Sequence, residues 1–137
     1  MIPVANLKGT ALDWAVAVCE DQCIAFDPMG FKNGANAGFW IWDERDPKNK
    51  IYQIIGADYS PSTNWSQAGP IIEKHNLYPS CYYGCGAGNP NKYQAGMGLA
   101  WSRGETPLIA TMRALVRDRF GDEIELPNEI LSQLATL

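Results

Sequence analysis

The stretch GETPLIATMRALVRDRFGDE constrains the fold more than any other part of the chain, because both ends of a helix are written into it. Thr106 offers a side-chain oxygen to cap the first free amides, and Pro107 takes the first helical position, where no N–H is needed. Gly121 suits the turn that closes a helix. Between them Leu108, Met112, Leu115 and Val116 recur at helical spacing as an apolar stripe. The pattern predicts a helix over 107–120 with one face in a core.

Weaker signals place the other elements. In TALDWAVAVCEDQC, Thr10 stands as an N-cap with Asp13 three residues on, and Leu12, Val16 and Cys19 or Cys23 follow at helical spacing, predicting a helix over about 10–22. In GFWIWD, Phe39 and Ile41 alternate with Trp40 and Trp42, which predicts a strand. A turn at DPKNK and a second strand in IYQIIGA complete a hairpin. GPIIEKHN has Pro70 where a helix can begin and Asn76 where it can end. In LYPSCYYGCGAGNPNKYQAGMGLAWSRG, aromatics flank a glycine-rich connection, which predicts a long loop between two strands ending near Tyr83 and Trp101. LPNEILSQLATL adds a last helix, with Pro127 near its start and Ile130, Leu131 and Leu134 as its buried face. That apolar end has a surface for the core or for a symmetric homodimer contact. No internal repeat appears, and the expectation is one α+β domain over 1–137, a short antiparallel sheet flanked by three or four helices.

A chain of 137 residues, 46% hydrophobic, has enough apolar content for one core and too little for two. Its 11 Lys and Arg against 15 Asp and Glu give a net charge of −4 with no basic run, which argues against attraction to nucleic acid. The start MIPVANLKGT lacks the pattern of a secretory signal, and no stretch approaches the roughly 18 apolar residues of a membrane span. The expectation is a soluble cytoplasmic protein without a membrane partner.

Catalytic signatures are missing. His75 is the one histidine, with no HExxH spacing, and no serine sits in a nucleophile elbow. Asp13, Asp58 and Glu73 are candidates for paired carboxylates, but solvated or capping carboxylates are far commoner. GCGAG at 84–88 has neither the third glycine of a dinucleotide fingerprint nor the lysine of a phosphate loop. Cys19 and Cys23 share their spacing with Cys81 and Cys85, so four thiolates could in principle surround zinc. One helical pair and one loop pair make a poor tetrahedral set, and reduced thiols are the plainer account. The expectation is no catalytic residue, no cofactor and no metal.

The segment DYSPSTNWSQAGPII packs hydroxyls between two aromatics. As plain structure it is a turn leading into a helix, with Pro61 fixing φ, Ser62 or Asn64 capping amides and Trp65 packed inward. As a site, Ser60, Ser62, Thr63, Asn64 and the amides near Gly69 donate to an anionic or carbonyl-bearing ligand while Tyr59 and Trp65 present a stacking face. Trp101, Arg103, Thr106 and Arg113 are further wall candidates, an arginine being able to grip a phosphate bidentately. Trp14 is expected in the core.

Taken together, LKGTALDWAVA, YSPSTNWSQAGPIIE, the tryptophan of LAWSRG and GETPLIATMRALVRDRFGDEIELP resemble the NinX family of small phage proteins, from near Leu7 to about Pro127. Asn64 stands where the family usually has aspartate, and Ala68 and Gly69 where it has paired glycine, so no role of a carboxylate there carries over. The resemblance implies a protein encoded among early accessory phage genes, acting in the host cytoplasm, and brings no established reaction with it.

The resulting expectation is a phage accessory protein that binds a small nucleotide-like ligand without turnover, as a counter-defence sponge for a host signalling nucleotide. The alternative is a protein-interaction module that meets a host or phage protein through GFWIWD and the last helix. A nucleotide-modifying enzyme is the weaker third reading.

Overall fold

The computed structural model describes residues 2–26, 39–42, 52–81, 93–97, 100–128 and 130–131. Its centre is the helix both of whose ends are encoded, α3 (Pro107–Phe120). Thr106 Oγ1 accepts from the Ile109 amide at 3.2 Å, Pro107 opens the helix, and Gly121 follows with φ 88°. Burial runs without a break from Leu108 to Val116, wider than the predicted stripe. The reason is that α3 is covered on two sides. Strands β6 (Tyr93–Met97) and β7 (Ala100–Gly104) pack on one, and α1 (Gly9–Cys19) packs on another. Buried alanines at 11, 15, 110 and 114 keep the bulk between these layers low. Gly104 is required by the same closeness, because a Cβ there would stand 2.7 Å from the Ala110 nitrogen.

Helix α2 (Trp65–His75) starts five residues before the proline that was expected to open it. Asn64 is the N-cap, its Oδ1 accepting from the Ser66 amide at 2.9 Å, and Pro70 lies inside the helix. Ser66 and Pro70 are both exposed, so the carbonyl that loses its helical donor is on the wet side, where water can serve it. The far end is as predicted, with Asn76 in the left-handed region at φ 54°.

Among the described residues, three small antiparallel sheets surround the helices. The expected hairpin is β3 (Phe39–Trp42) with β4 (Tyr52–Ile54), paired Trp40 to Ile54 and Trp42 to Tyr52, while its turn at DPKNK lies outside the described residues. Phe39 and Ile41 are buried and Trp40 half-buried, the alternation that the sequence carries. A third strand, β2 (Ile24–Phe26), joins the far edge of β3 and had too few residues to announce itself. The second sheet is a meander of β5 (Ser80–Cys81), β6 and β7, three strands where two were expected. Glycines in QAGMGLAWSRG hide the break between β6 and β7, and the glycine-rich connection at 82–92 lies outside the described residues.

The third sheet pairs β1 (Ile2–Pro3) with β8 (Glu123–Ile124) and ties the beginning of the chain to the end of α3. A 3-10 turn, Val4–Asn6, follows β1. Near the C-terminus the amides of Ile130 and Leu131 both donate to Pro127 O, at 3.1 and 3.0 Å, the first turn of the expected last helix. Ile130 is buried, and Leu134 lies outside the described residues. The fold is a small α+β domain, and no described helix is long and apolar enough to cross a membrane.

Candidate functional site

The hydroxyl-rich segment folds as successive turns at 56–58 and 61–63 that lead into α2. Ile54 O accepts from the amides of Ala57, Asp58 and Tyr59, and Asp58 Oδ2 accepts from the Ile54 amide at 3.1 Å. Ser60 O accepts from the amides of Thr63 and Asn64 at 3.0 and 2.9 Å, and from Thr63 Oγ1 at 3.4 Å. Gln67 reaches back from α2, its Oε1 accepting from the Ser60 amide at 2.6 Å and its Nε2 donating to Asp58 O. Much of the turn's backbone is thus paired within the turn, and Gln67 ties α2 to it. Trp65 is 57% exposed and does not pack inward, and Gly69 lies further along the helix.

Beneath this turn is a buried polar junction with α1. Asp13, 2% exposed, accepts the Ser62 amide through Oδ1 at 2.9 Å. Burial pushes the Asp13 carboxyl up to about 6, opposed by that amide and by the nearby Ser62 hydroxyl. The hydroxyl itself has no partner in hydrogen-bonding geometry, and neither has the buried Tyr59 hydroxyl, among the described residues. Burial raises the Tyr59 phenol above its ordinary range, with the charges of Glu20 and Asp13 adding to it. About two turns on from Asp13, at the C-cap of α1, Glu20 holds Lys74 Nζ at 2.8 Å and His75 Nε2 at 2.7 Å. His75 is therefore a helix-end residue fastened to α1. Trp14 is partly buried and meets Phe39 edge-on at 6.3 Å.

The outward face of β6 and β7 is built differently. Register places Gln94 opposite Arg103 and Gly96 opposite Trp101, while Ala95 and Ser102 turn inward and are buried. Trp101 is half-exposed, and its indole lies across Gly96 so closely that a Cβ there would collide with the ring. One ring face is supported on backbone. Among the described residues β7 is also an edge strand of its sheet. Two arginines one turn apart on α3 hold its carbonyls: Arg113 Nη1 donates to Arg103 O at 2.9 Å, and Arg117 Nη1 donates to Trp101 O. Arg113 is buried and also donates from Nε to Leu7 O at 2.7 Å, so it joins the N-terminal segment, α3 and β7. Burial lowers its pKa, with Glu105 opposing. Arg117 Nε donates to Asp122 Oδ1 at 2.8 Å.

Between the 3-10 turn, β7 and the end of α3 lies a cleft of about 640 Å³ whose lining includes Gln94, Trp101, Arg103, Arg117 and Asp122. Of the residues singled out in the sequence, the structure brings Trp101 and Arg103 together there. Thr106 is occupied as the cap of α3 and Arg113 as a buried clamp. Tyr59, Ser60, Ser62, Thr63, Asn64, Trp65 and Gly69 belong to the turn and α2. Gln94, Arg117 and Asp122 were not anticipated. Alternation along AWSRG was the available signal for a shared face, and the i, i+4 spacing of Arg113 and Arg117 was the signal for the helix wall.

The cysteines divide. Cys19 is half-buried, and burial pushes its thiol up to about 12 despite the nearby Arg119. Cys23 is exposed, whereas the Cys81 side chain and Cys85 lie outside the described residues. No group of metal-binding side chains forms among the described residues.

A protein-family model described as bacteriophage P22 NinX matches residues 3–119. The chain belongs to this family of phage proteins. A comparison with curated proteins gives no match.

Proposed function

From membership of a phage family and from the chemistry of the β6–β7 cleft, we propose that this phage accessory protein captures a small nucleotide-like ligand without turnover. The observation that carries the reading is the register of β7, which sets Trp101 and Arg103 on one exposed face. A flat base stacks on an indole whose other face is already supported by Gly96. Arg103 and the Gln94 amide stand beside it to meet polar or anionic groups. A volume of about 640 Å³ lies within the range of small-molecule sites. In this reading the turn at 58–64 holds α2 against α1, and Tyr59, Ser60, Ser62, Thr63 and Asn64 act on the ligand only through the scaffold. Capture of a host signalling nucleotide, as a counter-defence sponge, is the role such a protein would fill for a phage.

The test is native mass spectrometry of the purified protein after incubation with a host small-molecule extract, with the released compound analysed after heating. The proposal expects a bound, chemically unchanged nucleotide that Trp101→Ala and Arg103→Ala variants of unchanged fold no longer retain. A bare protein mass would contradict it and favour the protein-interaction alternative. A chemically altered nucleotide would favour the enzyme.

A further inference from the structure

Arg117 sits one turn beyond Arg113 on α3 and is held in another manner. Arg113 is buried between two backbone carbonyls, whereas the Arg117 side chain is 39% exposed on the cleft wall. Its Nη1 is fixed by Trp101 O and its Nε by Asp122, and among the described residues neither bond uses Nη2. The guanidinium is therefore already oriented on the wall of the cleft that Trp101 also lines, with donors left over and little rotamer freedom to lose on binding. Its counter-charge, Asp122, is 80% exposed. So exposed an ion pair contributes little, and a better acceptor displaces it at small cost.

We propose that Arg117 reads a phosphate, so that the cleft takes nucleoside phosphates in preference to nucleosides, with Asp122 as the counter-charge that the phosphate replaces. The inference rests on the reading of this cleft as a nucleotide seat. A phosphate presents several oxygens to the planar fork of an arginine, and Arg103 on the same wall adds a second positive charge.

The experiment is isothermal titration of the four ribonucleoside monophosphates, the corresponding nucleosides and inorganic phosphate into the wild type, Arg117→Gln, Arg117→Lys and Asp122→Asn, each checked for folding by circular dichroism and thermal melting. The expected result is a preference for monophosphates over nucleosides on the order of tenfold or more. Arg117→Gln removes that preference by weakening monophosphate binding far more than nucleoside binding, Arg117→Lys retains part of it, and Asp122→Asn strengthens monophosphate binding a few-fold. Equal affinity for nucleosides and monophosphates in the wild type would overturn this inference alone. So would an Arg117→Gln variant that weakens both alike. Should Arg117→Gln fail to fold, the opposite directions expected of Arg117→Lys and Asp122→Asn still decide. Binding of no nucleotide or nucleoside, or of inorganic phosphate only, would overturn both this inference and the nucleotide reading.

Discussion

The turn at 54–64 and the outward face of β6–β7 both concentrate polar and aromatic side chains, yet they direct them oppositely. In the turn, Ser60, Asp58, Asn64 and Gln67 close hydrogen bonds within the same short stretch, and Ser62 and Tyr59 are buried above Asp13. On the sheet face, Trp101 and Arg103 are left at the surface while their backbone is held from behind by Arg113 and Arg117. A density of hydroxyls in a sequence therefore marks a chain that is turning. A pair of residues two apart on an edge strand marks a face that something else can meet.

The comparison breaks most visibly at Arg113. Replacing it with methionine keeps the volume but leaves Leu7 O and Arg103 O without their donor, and the account expects a loss of about 3 kcal/mol or more, read as a fall in the midpoint of urea unfolding. A loss under about 1 kcal/mol would mean that the clamp on β7 is dispensable.

The junction under the turn gives the next effect, and its sign depends on pH. The folded pKa of Asp13, about 6, lies above its ordinary value of 3.8. The protonated form is thus favoured by folding, and the stability it contributes is complete below about pH 4 and is lost as pH rises through 6. Asp13→Asn retains an oxygen for the Ser62 amide and cannot ionise. Relative to wild type it is expected to gain on the order of 2–3 kcal/mol on passing from pH 4 to pH 8. Urea unfolding at the two pH values measures this, and parallel behaviour of variant and wild type would show that the carboxylate is not penalised by burial.

Smaller still is the cap of α3. Thr106→Ala removes the acceptor for the Ile109 amide and is expected to cost about 1 kcal/mol in thermal melts, with ligand capture unchanged once the protein is folded. The least effect on stability belongs to Trp101→Ala, about 1 kcal/mol or less by the same melts, because half the ring is already in water and what is lost is its packing on Gly96. Its effect on ligand capture is the opposite extreme, on the order of tenfold or more.

How much of this was legible follows from the range of each interaction. α3 was readable to its ends because Thr106, Pro107 and Gly121 act on their own neighbours. The hairpin of β3 and β4 was readable because alternation is local. The start of α2 was misread because a proline suggests a first turn, while Asn64 had stronger local chemistry as a cap. β2 and the division of β6 from β7 were too short and too rich in glycine to signal. Arg113 looked like a phosphate ligand in sequence, since nothing local says that Leu7 and Arg103 will bring their carbonyls to it. Of the cleft, Trp101 and Arg103 were singled out, while Gln94, Arg117 and Asp122 became visible only once β6, β7 and the end of α3 were assembled.

The most direct measurement is a nitrogen–proton NMR titration of the protein with a mixture of ribonucleoside monophosphates, following the indole N–H signals of its five tryptophans. The account predicts that the Trp101 signal moves while that of Trp65, equally exposed but on α2, stays where it is. Movement of Trp65 without Trp101, or of neither, would contradict it.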